Sequence, residues 1–188
     1  MNKNTEKYSR KGRSEVRREK SSIQNEEWIK SLLTRTPIAT IASVNQDQAF
    51  ATPISFVYVE DKNAIYFHGA KVGRLRANID LNPQVSVNVF EMGQLVPDEK
   101  AVEFGLDYQS VTIFGKANEQ TDKTDILLGL EALMEKFFYM YESGKDYSPI
   151  QTEDLIRTGV YKIEIDEWSG KELTSDRTDK FDYKPKGF

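Results

Sequence analysis

The sequence has no cysteine, and His68 is its single histidine among 188 residues. Without cysteine the chain forms no disulfide, no thiolate nucleophile and no Cys-ligated zinc or iron–sulfur centre. One histidine leaves no His-rich metal site within a chain, and a Ser-His-Asp triad would have to use His68. The chain also has no G-x-S-x-G stretch, no P-loop and no G-x-G-x-x-G turn. These absences exclude most common enzyme mechanisms.

Long hydrophobic runs are also missing. No stretch approaches the roughly 20 apolar residues needed to span a bilayer, and the polar N-terminus lacks the apolar segment of a signal peptide. With 38% hydrophobic and 30% charged residues, the composition is typical of one globular domain that is long enough for a real core. We therefore expect a cytoplasmic protein without a membrane partner.

Positive charge is concentrated at the N-terminus. Residues 1–20 hold eight of the 26 basic residues but three of the 30 acidic residues. Such an arm could contact nucleic acid, but no interleaved aromatic and basic residues follow it. We interpret residues 1–20 as a basic, disordered arm, residues 21–172 as the folded domain and residues 173–188 as an irregular charged tail. Nucleic acid is not expected as a partner.

Six runs have the composition of strands: 38–44, 49–59, 64–68, 83–91, 108–117 and 159–168. Three helices are predicted: one that ends before Pro37, one after Gly69 and one over 124–141. Ser21 and Gln24 have capping-box spacing at the start of the first. Gly115 marks the far end of the fifth strand. Short connections between the runs favour a mainly antiparallel β-barrel with peripheral helices over a doubly wound sheet.

Two further features concern edges and interfaces. Pro53 lies inside the second run, and because proline cannot donate to a ladder it indicates a sheet edge or a bulge. The 124–141 helix carries an unusually broad apolar face, which includes Leu130, Met134 and Phe138. Such a face suggests burial against a second subunit, the alternative being deep packing within one chain.

Three cations, Lys71, Arg74 and Arg76, lie at the predicted start of the helix after Gly69. Cations at a helix N-terminus each cost about 0.3–1 kcal/mol unless an anion offsets them. Gly69 and Gly73 let a ligand approach the backbone, and Arg74 has the geometry to hold a phosphate through two hydrogen bonds. The pattern predicts a phosphate site, the alternative being a solvated helix face.

The stretches "ATPISFVY", "IYFHGAKVGRLRANIDLNPQVSV", "YQSVTIFGKA" and "IEIDEWSGKE" occur in one order over about residues 23–172. In that order they resemble the FMN-binding split β-barrel superfamily of pyridoxamine 5′-phosphate oxidase, and within it the 5-nitroimidazole resistance proteins. The resemblance implies a six-stranded antiparallel split barrel that forms a homodimer with FMN at the interface.

The resemblance also implies roles at the phosphate end of the flavin. Arg74 matches a residue that binds the FMN phosphate, and His68 and Gly69 match contacts to phosphate and ribityl groups. In the resistance branch a histidine of this motif lies near the flavin. His68 is therefore a candidate catalytic proton donor, since a free imidazole titrates near about 6.5. The alternative is a histidine that only hydrogen-bonds phosphate or backbone.

At the ring end the resemblance implies that Pro53, Ile54 and Ser55 lie along the isoalloxazine. Ser110 matches a position contributed by the neighbouring subunit, and Trp168 matches an aromatic residue near the flavin.

The chain departs from the oxidases themselves. Leu75 stands where they have a lysine, and of their C-terminal substrate-phosphate residues only Asp176 and Arg177 have counterparts. We therefore expect FMN binding, with oxidoreductase activity on a small molecule such as nitro-group reduction, rather than pyridoxamine-phosphate oxidation. The alternatives are a flavin-binding protein without turnover, in storage, sensing or electron relay, and a haem-binding split barrel.

Overall fold

The computed structural model of the chain describes residues 11–187, except for the side chains of residues 152 and 157. This part of the chain contains four α-helices and eight strands. In chain order they are β1 (Ser22–Ile23), α1 (Glu26–Arg35), β2 (Ile38–Asn45), β3 (Gln48–Ser55), β4 (Val57–Val59), β5 (Ala64–Gly69), α2 (Arg74–Leu81), β6 (Gln84–Val96), β7 (Gly105–Glu119), α3 (Lys123–Phe138), α4 (Thr152–Arg157) and β8 (Gly159–Leu173).

The strands form one antiparallel sheet in the order β3-β2-β6-β7-β8-β5-β4, with β1 added beside β8. The two ends of this order, β3 and β4, are separated in sequence by Phe56 alone. The single run 48–59 therefore pairs with β2 through its first half and with β5 through its second half. The sheet closes on itself as a barrel, which confirms the predicted mainly β, antiparallel architecture.

The strand count is eight where six were predicted. The difference arises because the 49–59 run is divided at Phe56 and because the two-residue β1 was not foreseen. Pro53 lies in β3, which pairs with β2 and, within residues 11–187, with no other strand. The residue therefore lies at a sheet edge, which is one of the two environments, edge or bulge, that a proline within a strand indicates.

The main core fills the barrel. Alternate residues of the strands point inward, as in Val85, Val87 and Val89 of β6, and side chains of α1 and α2 join them. A second cluster lies outside, where α3 covers the opposite face of β5 and β8. Strand β5 is thus apolar on both faces, with Ile65 and Phe67 in the barrel and Ala64 and Tyr66 under α3.

Several boundaries differ from the prediction. Strands β6 and β7 extend into residues 92–107, between the predicted runs 83–91 and 108–117, with a register shift between Met92 and Leu95. Gly115 lies within β7 rather than at its end, opposite a bulge in β8. A Cβ at Gly115 would lie 2.1 Å from the carbonyl oxygen of Glu164, so the close approach of β8 requires glycine here.

Helix α1 begins later than the capping-box spacing predicted. Its N-cap is Asn25, whose side-chain oxygen accepts a hydrogen bond from the Trp28 amide at 2.9 Å. Ser21 and Gln24 therefore precede the helix rather than cap it. The helix buries Ile29 and the two leucines 32 and 33.

The two chain ends lie against strands of the sheet. Residues 1–10 of the predicted basic arm lie outside the described residues. Arg13 donates to Glu167 at 2.8 Å and to Asp166 at 3.2 Å, both on β8. Beyond β8 the chain is irregular, and Phe181 exchanges two backbone hydrogen bonds with Leu95 of β6.

Candidate functional site

The turn between β5 and α2 carries the start of the candidate site. The helix begins at Arg74, so Lys71 lies in the turn before it. The N-cap of α2 is Gly73, whose φ of +128° is a conformation that favours glycine. No side chain among the described residues caps this helix. The first amide N–H groups of α2 are left for water or a ligand.

Two of the three cations already have partners. Arg76 donates to both carboxylate oxygens of Asp80, at 2.8 and 2.7 Å, and also pairs with Glu119 of β7. The Asp80 hydrogen bond raises the pKa of Arg76. Lys71 makes a long hydrogen bond, 3.4 Å, to the carbonyl oxygen of Leu155. The charge of Arg76 is thus balanced within the protein.

Arg74 is different. Its guanidinium carbon lies 5.1 Å from the ring centroid of Phe50, and within residues 11–187 it has no carboxylate partner. The side chain is exposed at the first position of α2. A planar cation beside unpaired helical N–H groups is suited to a bidentate hydrogen bond with a phosphate.

A cavity of about 260 Å³, hereafter cavity one, joins these groups. Its walls come from β3, the end of β5, the following turn and the first turn of α2, with Tyr161 of β8. Five of the predicted site residues line it: Pro53, Ile54, His68, Gly69 and Arg74. Segments that are separate in sequence, β3 and the turn from β5 to α2, therefore form a single concave surface.

Tyr161 of β8 packs under the β5 strand end and holds the turn between β5 and α2. Its ring stacks on Phe67 with centroids 4.9 Å apart and planes 11° from parallel. Its hydroxyl donates to the carbonyl oxygen of Ala70 at 2.8 Å. Burial raises the pKa of Tyr161, which keeps the hydroxyl protonated as the donor. The hydrogen bond fixes the backbone between Gly69 and the start of α2.

A second and larger depression, hereafter cavity two, has a volume of about 670 Å³. One side is formed by α3. The other side is formed by Ser55 and His68 together with Tyr147, Ser148, Ile150, Asp154 and Thr158. His68 lines both cavities, because it follows Tyr66 on the face of β5 that points toward α3. His68 therefore lies between the β5–α2 turn and the apolar surface of α3.

Three predicted residues lie apart from cavity one. Ser55 lines cavity two instead. Ser110 is in β7, paired with Phe90 and Lys171, and lines neither cavity. Trp168 is partly buried against the main core, with its ring edge toward Tyr58 at a centroid distance of 6.2 Å. The roles given to Ser110 and Trp168 stay predictions.

Sequence reasoning missed Tyr161 and cavity two. Tyr161 sits in a β8 run whose alternation shows only that it points inward, and nothing in the pattern indicates that it reaches Ala70. For cavity two a signal was present, since the broad apolar face of the 124–141 helix exceeds what packing on β5 and β8 uses. The far wall, residues 147–158, has no such pattern.

The described residues offer no group of three or more Asp, Glu, His or Cys side chains that could hold a metal ion. No helix of residues 11–187 is both long and apolar enough to cross a membrane.

Comparison with known proteins gives a family match. The family model described as pyridoxamine 5′-phosphate oxidase matches residues 25–172. No curated protein matches the sequence.

Solved structures share the fold. The flavocytochrome Anf3 from Azotobacter vinelandii superposes with a TM-score of 0.78 at 23% identity, over 92% of this chain and 78% of that one. An FAD- and haem-binding protein from Mycobacterium smegmatis superposes with a TM-score of 0.73 at 24% identity, over 82% of this chain and 74% of that one. A protein from Bacteroides thetaiotaomicron assigned to 5-nitroimidazole antibiotic resistance superposes with a TM-score of 0.66 at 18% identity, over 80% of this chain and 86% of that one. At these identities the likeness is one of fold.

Proposed function

This chain belongs to the pyridoxamine 5′-phosphate oxidase family, and we propose that it is a flavoprotein that binds FMN and acts as an oxidoreductase on a small molecule. The observation that carries the proposal is Arg74. It is an arginine without a carboxylate partner among the described residues, in the wall of cavity one and at the uncapped start of α2. Such a group is suited to the terminal phosphate of a flavin mononucleotide.

The residues of cavity one fit the rest of a flavin. Pro53 and Ile54 of β3 form one wall, and Gly69 and Ala70 form another. The flavin supplies the redox chemistry, and the protein supplies its position and electrostatic surroundings. In this proposal β3 supports the ring, while the first turn of α2 holds the phosphate.

His68 is the proposed proton donor. It is exposed, lies at the end of β5 and lines cavity one. An imidazole at this position has access both to a bound flavin and to a molecule in cavity two. The alternative role, a hydrogen bond to phosphate or backbone only, predicts that a His68→Gln variant keeps its turnover.

We also propose a homodimer with the flavin at its interface. At about 260 Å³, cavity one is smaller than the roughly 300–1,000 Å³ typical of sites that enclose a ligand, so one chain encloses only part of a flavin. Large apolar side chains are exposed at the end of α3 and on β6, among them Phe138, Tyr139, Phe90 and Met92. Exposed groups of this kind commonly mark an interface, and sedimentation with and without FMN tests the dimer.

The decisive experiment is the absorption spectrum of the purified protein, alone and after addition of FMN or FAD. Bound flavin with FMN preferred over FAD supports the proposal, and FAD preference would restrict it to flavin binding. A Soret band in place of flavin absorption would replace it with haem binding. Flavin that no nicotinamide or thiol donor reduces would leave a flavin-binding protein without turnover.

The Arg74→Ala substitution tests the phosphate contact. A charge-assisted hydrogen bond is worth about 1.5–3 kcal/mol, so the Kd for FMN should rise roughly 10- to 150-fold. Riboflavin, which lacks the phosphate, should bind both proteins equally. Arg17→Ala, which removes an exposed arginine that lines neither cavity, is the matched control and should leave FMN binding unchanged. Equal FMN affinity in all three proteins would overturn the phosphate assignment.

A further inference from the structure

We propose that a third depression, hereafter cavity three, binds a small organic cation of the tertiary or quaternary ammonium class. Cavity three lies between the second half of α3 and residues 141–150, and its volume is about 300 Å³. That volume is at the lower end of the range of roughly 300–1,000 Å³ found for small-molecule sites. The proposal goes beyond the proposed function, because cavity three contains none of the residues assigned to the flavin.

Two carboxylates of α3 line cavity three. Glu131 and Glu135 are one helical turn apart and exposed, and neither side chain has an ion-pair or hydrogen-bond partner in residues 11–187. Like charges at this spacing destabilise a helix. Glu135 also lies in the last turn of α3, where the helix dipole favours cations. A bound cation would offset both of these unfavourable interactions.

The nearby cations of the protein are engaged elsewhere. Lys145, the one lysine or arginine of residues 141–150, pairs with Glu142 at 2.9 Å. Lys136, in the last turn of α3, donates to carbonyl oxygens at the end of α1. Within the part of the chain that the structure describes, no lysine or arginine lines cavity three. The two carboxylates are therefore available to a ligand.

Aromatic rings supply the second means of binding a cation. Phe138 and Tyr141, which are 50% and 55% exposed, line cavity three together with Tyr147. Among the described residues, none of these three rings pairs with another aromatic ring or lies under a lysine or arginine. The face of an aromatic ring attracts a cation, and groups of such rings recognise quaternary ammonium ligands.

The remaining lining distinguishes an organic cation from a metal ion. Met134 and Ile150 place apolar side chains in the same wall, and these can contact the methyl or methylene groups around an ammonium nitrogen. The described part of the chain has no group of three metal-ligating side chains, whereas a hard metal ion requires more oxygen ligands than two glutamates provide.

The test measures binding of choline to the full-length protein by isothermal titration calorimetry at low ionic strength. The neutral counterpart is 3,3-dimethyl-1-butanol, which has the same shape with carbon in place of the charged nitrogen. We expect choline to bind saturably and the alcohol to bind about fivefold or more weakly. Equal binding of the two compounds, or choline binding that does not saturate, would overturn the inference.

Charge variants locate the site on α3. Glu131→Gln and Glu135→Gln preserve side-chain size, and each should raise the Kd for choline about threefold or more without changing that for the alcohol. Glu103→Gln, which removes an exposed carboxylate outside cavity three, is the matched control and should bind choline as the wild type does. Unchanged choline affinity in both α3 variants would overturn the site.

Ring variants test the aromatic contribution. Tyr141→Leu should raise the Kd for choline about threefold or more, and Tyr141→Phe, which keeps the ring, should not. Tyr139→Leu is the control, since this neighbouring exposed tyrosine does not line cavity three. Circular dichroism and sedimentation check that each variant keeps its fold and oligomeric state. Equal choline binding by the two leucine variants would show that the ring of Tyr141 has no part, contrary to the inference.

The same titrations in flavin-free and flavin-loaded protein separate this inference from the flavin proposal. Cavities one and three share no residue, so the Kd for choline should be the same in both. Protein that binds choline but no flavin would support cavity three and overturn the flavin proposal. Flavin-loaded protein that does not bind choline would overturn cavity three and leave the flavin proposal intact.

Discussion

Lys136 of α3 shows how one side chain can join three elements. Its ammonium donates to the carbonyl oxygens of Leu33 at 3.1 Å and Thr36 at 2.7 Å, at the C-terminal end of α1. It also lies 4.0 Å from the ring centroid of Phe56, the residue that divides β3 from β4. These contacts favour the charged form, but burial without a carboxylate partner among the described residues outweighs them and lowers the pKa of Lys136 to about 8.

The shift predicts a pH dependence of stability. Between pH 8 and pH 10.5 the unfolded chain keeps the Lys136 proton that the folded chain has released, so this group makes the free energy of unfolding rise with pH in that window. Below pH 8 its contribution is constant. Relative to Lys136→Met, the wild type should therefore gain stability between pH 7.5 and pH 10 in urea denaturation.

The control for this prediction is Lys123→Met, which removes an exposed lysine from the start of the same helix. Its stability difference from the wild type should not follow the same trend. A constant difference between wild type and Lys136→Met over the whole pH range would contradict the shifted pKa.

At the scale of the element, the pairing of β7 with β8 depends on one glycine. The register shifts between Phe114 and Gly115, so that β8 carries an extra residue opposite this point. The Glu164 carbonyl oxygen occupies the space where a Cβ on Gly115 would lie. Because a backbone atom cannot rotate away as a side chain can, any larger residue must separate the two strands.

Gly115→Ala should therefore destabilise the protein by about 2 kcal/mol or more. Gly105→Ala is the matched control in the same strand, since its Cβ would meet Val96 at an ordinary 3.6 Å. That change should be neutral or slightly stabilising, because alanine restricts the unfolded chain. Thermal unfolding of both variants measures the contrast, and equal stability would show that the bulge can relax.

At the scale of the whole molecule, the irregular C-terminal segment is part of the folded domain. The buried carboxylate of Asp107 accepts hydrogen bonds from the Ser175 amide at 2.8 Å and from Lys180 at 2.7 Å. Phe181 pairs with Leu95 through the backbone. The segment thus covers the β6–β7 hairpin, which a reading of composition alone does not indicate.

Removal of residues 174–188 should remove both hydrogen bonds to Asp107 and uncover the β6–β7 hairpin, and destabilise the protein by about 2–3 kcal/mol. Removal of residues 184–188 alone should have little effect. Asp107→Asn in the full-length chain should destabilise the protein less than the truncation, because the amide oxygen can still accept from Ser175. If truncation at residue 174 left the denaturation midpoint unchanged, the segment would contribute nothing to the domain.

The turn between β5 and α2 was predictable because its determinants are local. A strand that ends at Gly69, a glycine before the helix and Arg74 at its first turn are all within a few residues of one another. The same pattern did not show that Arg76 is balanced by Glu119, which is 43 residues away in the chain. Only the folded structure distinguishes two of the candidate cations from each other. Arg76 is balanced by carboxylates, whereas Arg74 lines cavity one without a carboxylate partner among the described residues.

The sequence by itself determined the class of fold, the six strand-forming runs, the family and five of the residues that line cavity one. Each of these depends on periodicity, turn chemistry or a contiguous motif, which are properties of short segments. Only the tertiary structure decided that the run 48–59 closes the barrel at Phe56, that Tyr161 holds Ala70, and that His68 borders a second cavity. Those outcomes depend on which distant segments meet, and pairing between distant segments follows from the packing of the whole chain.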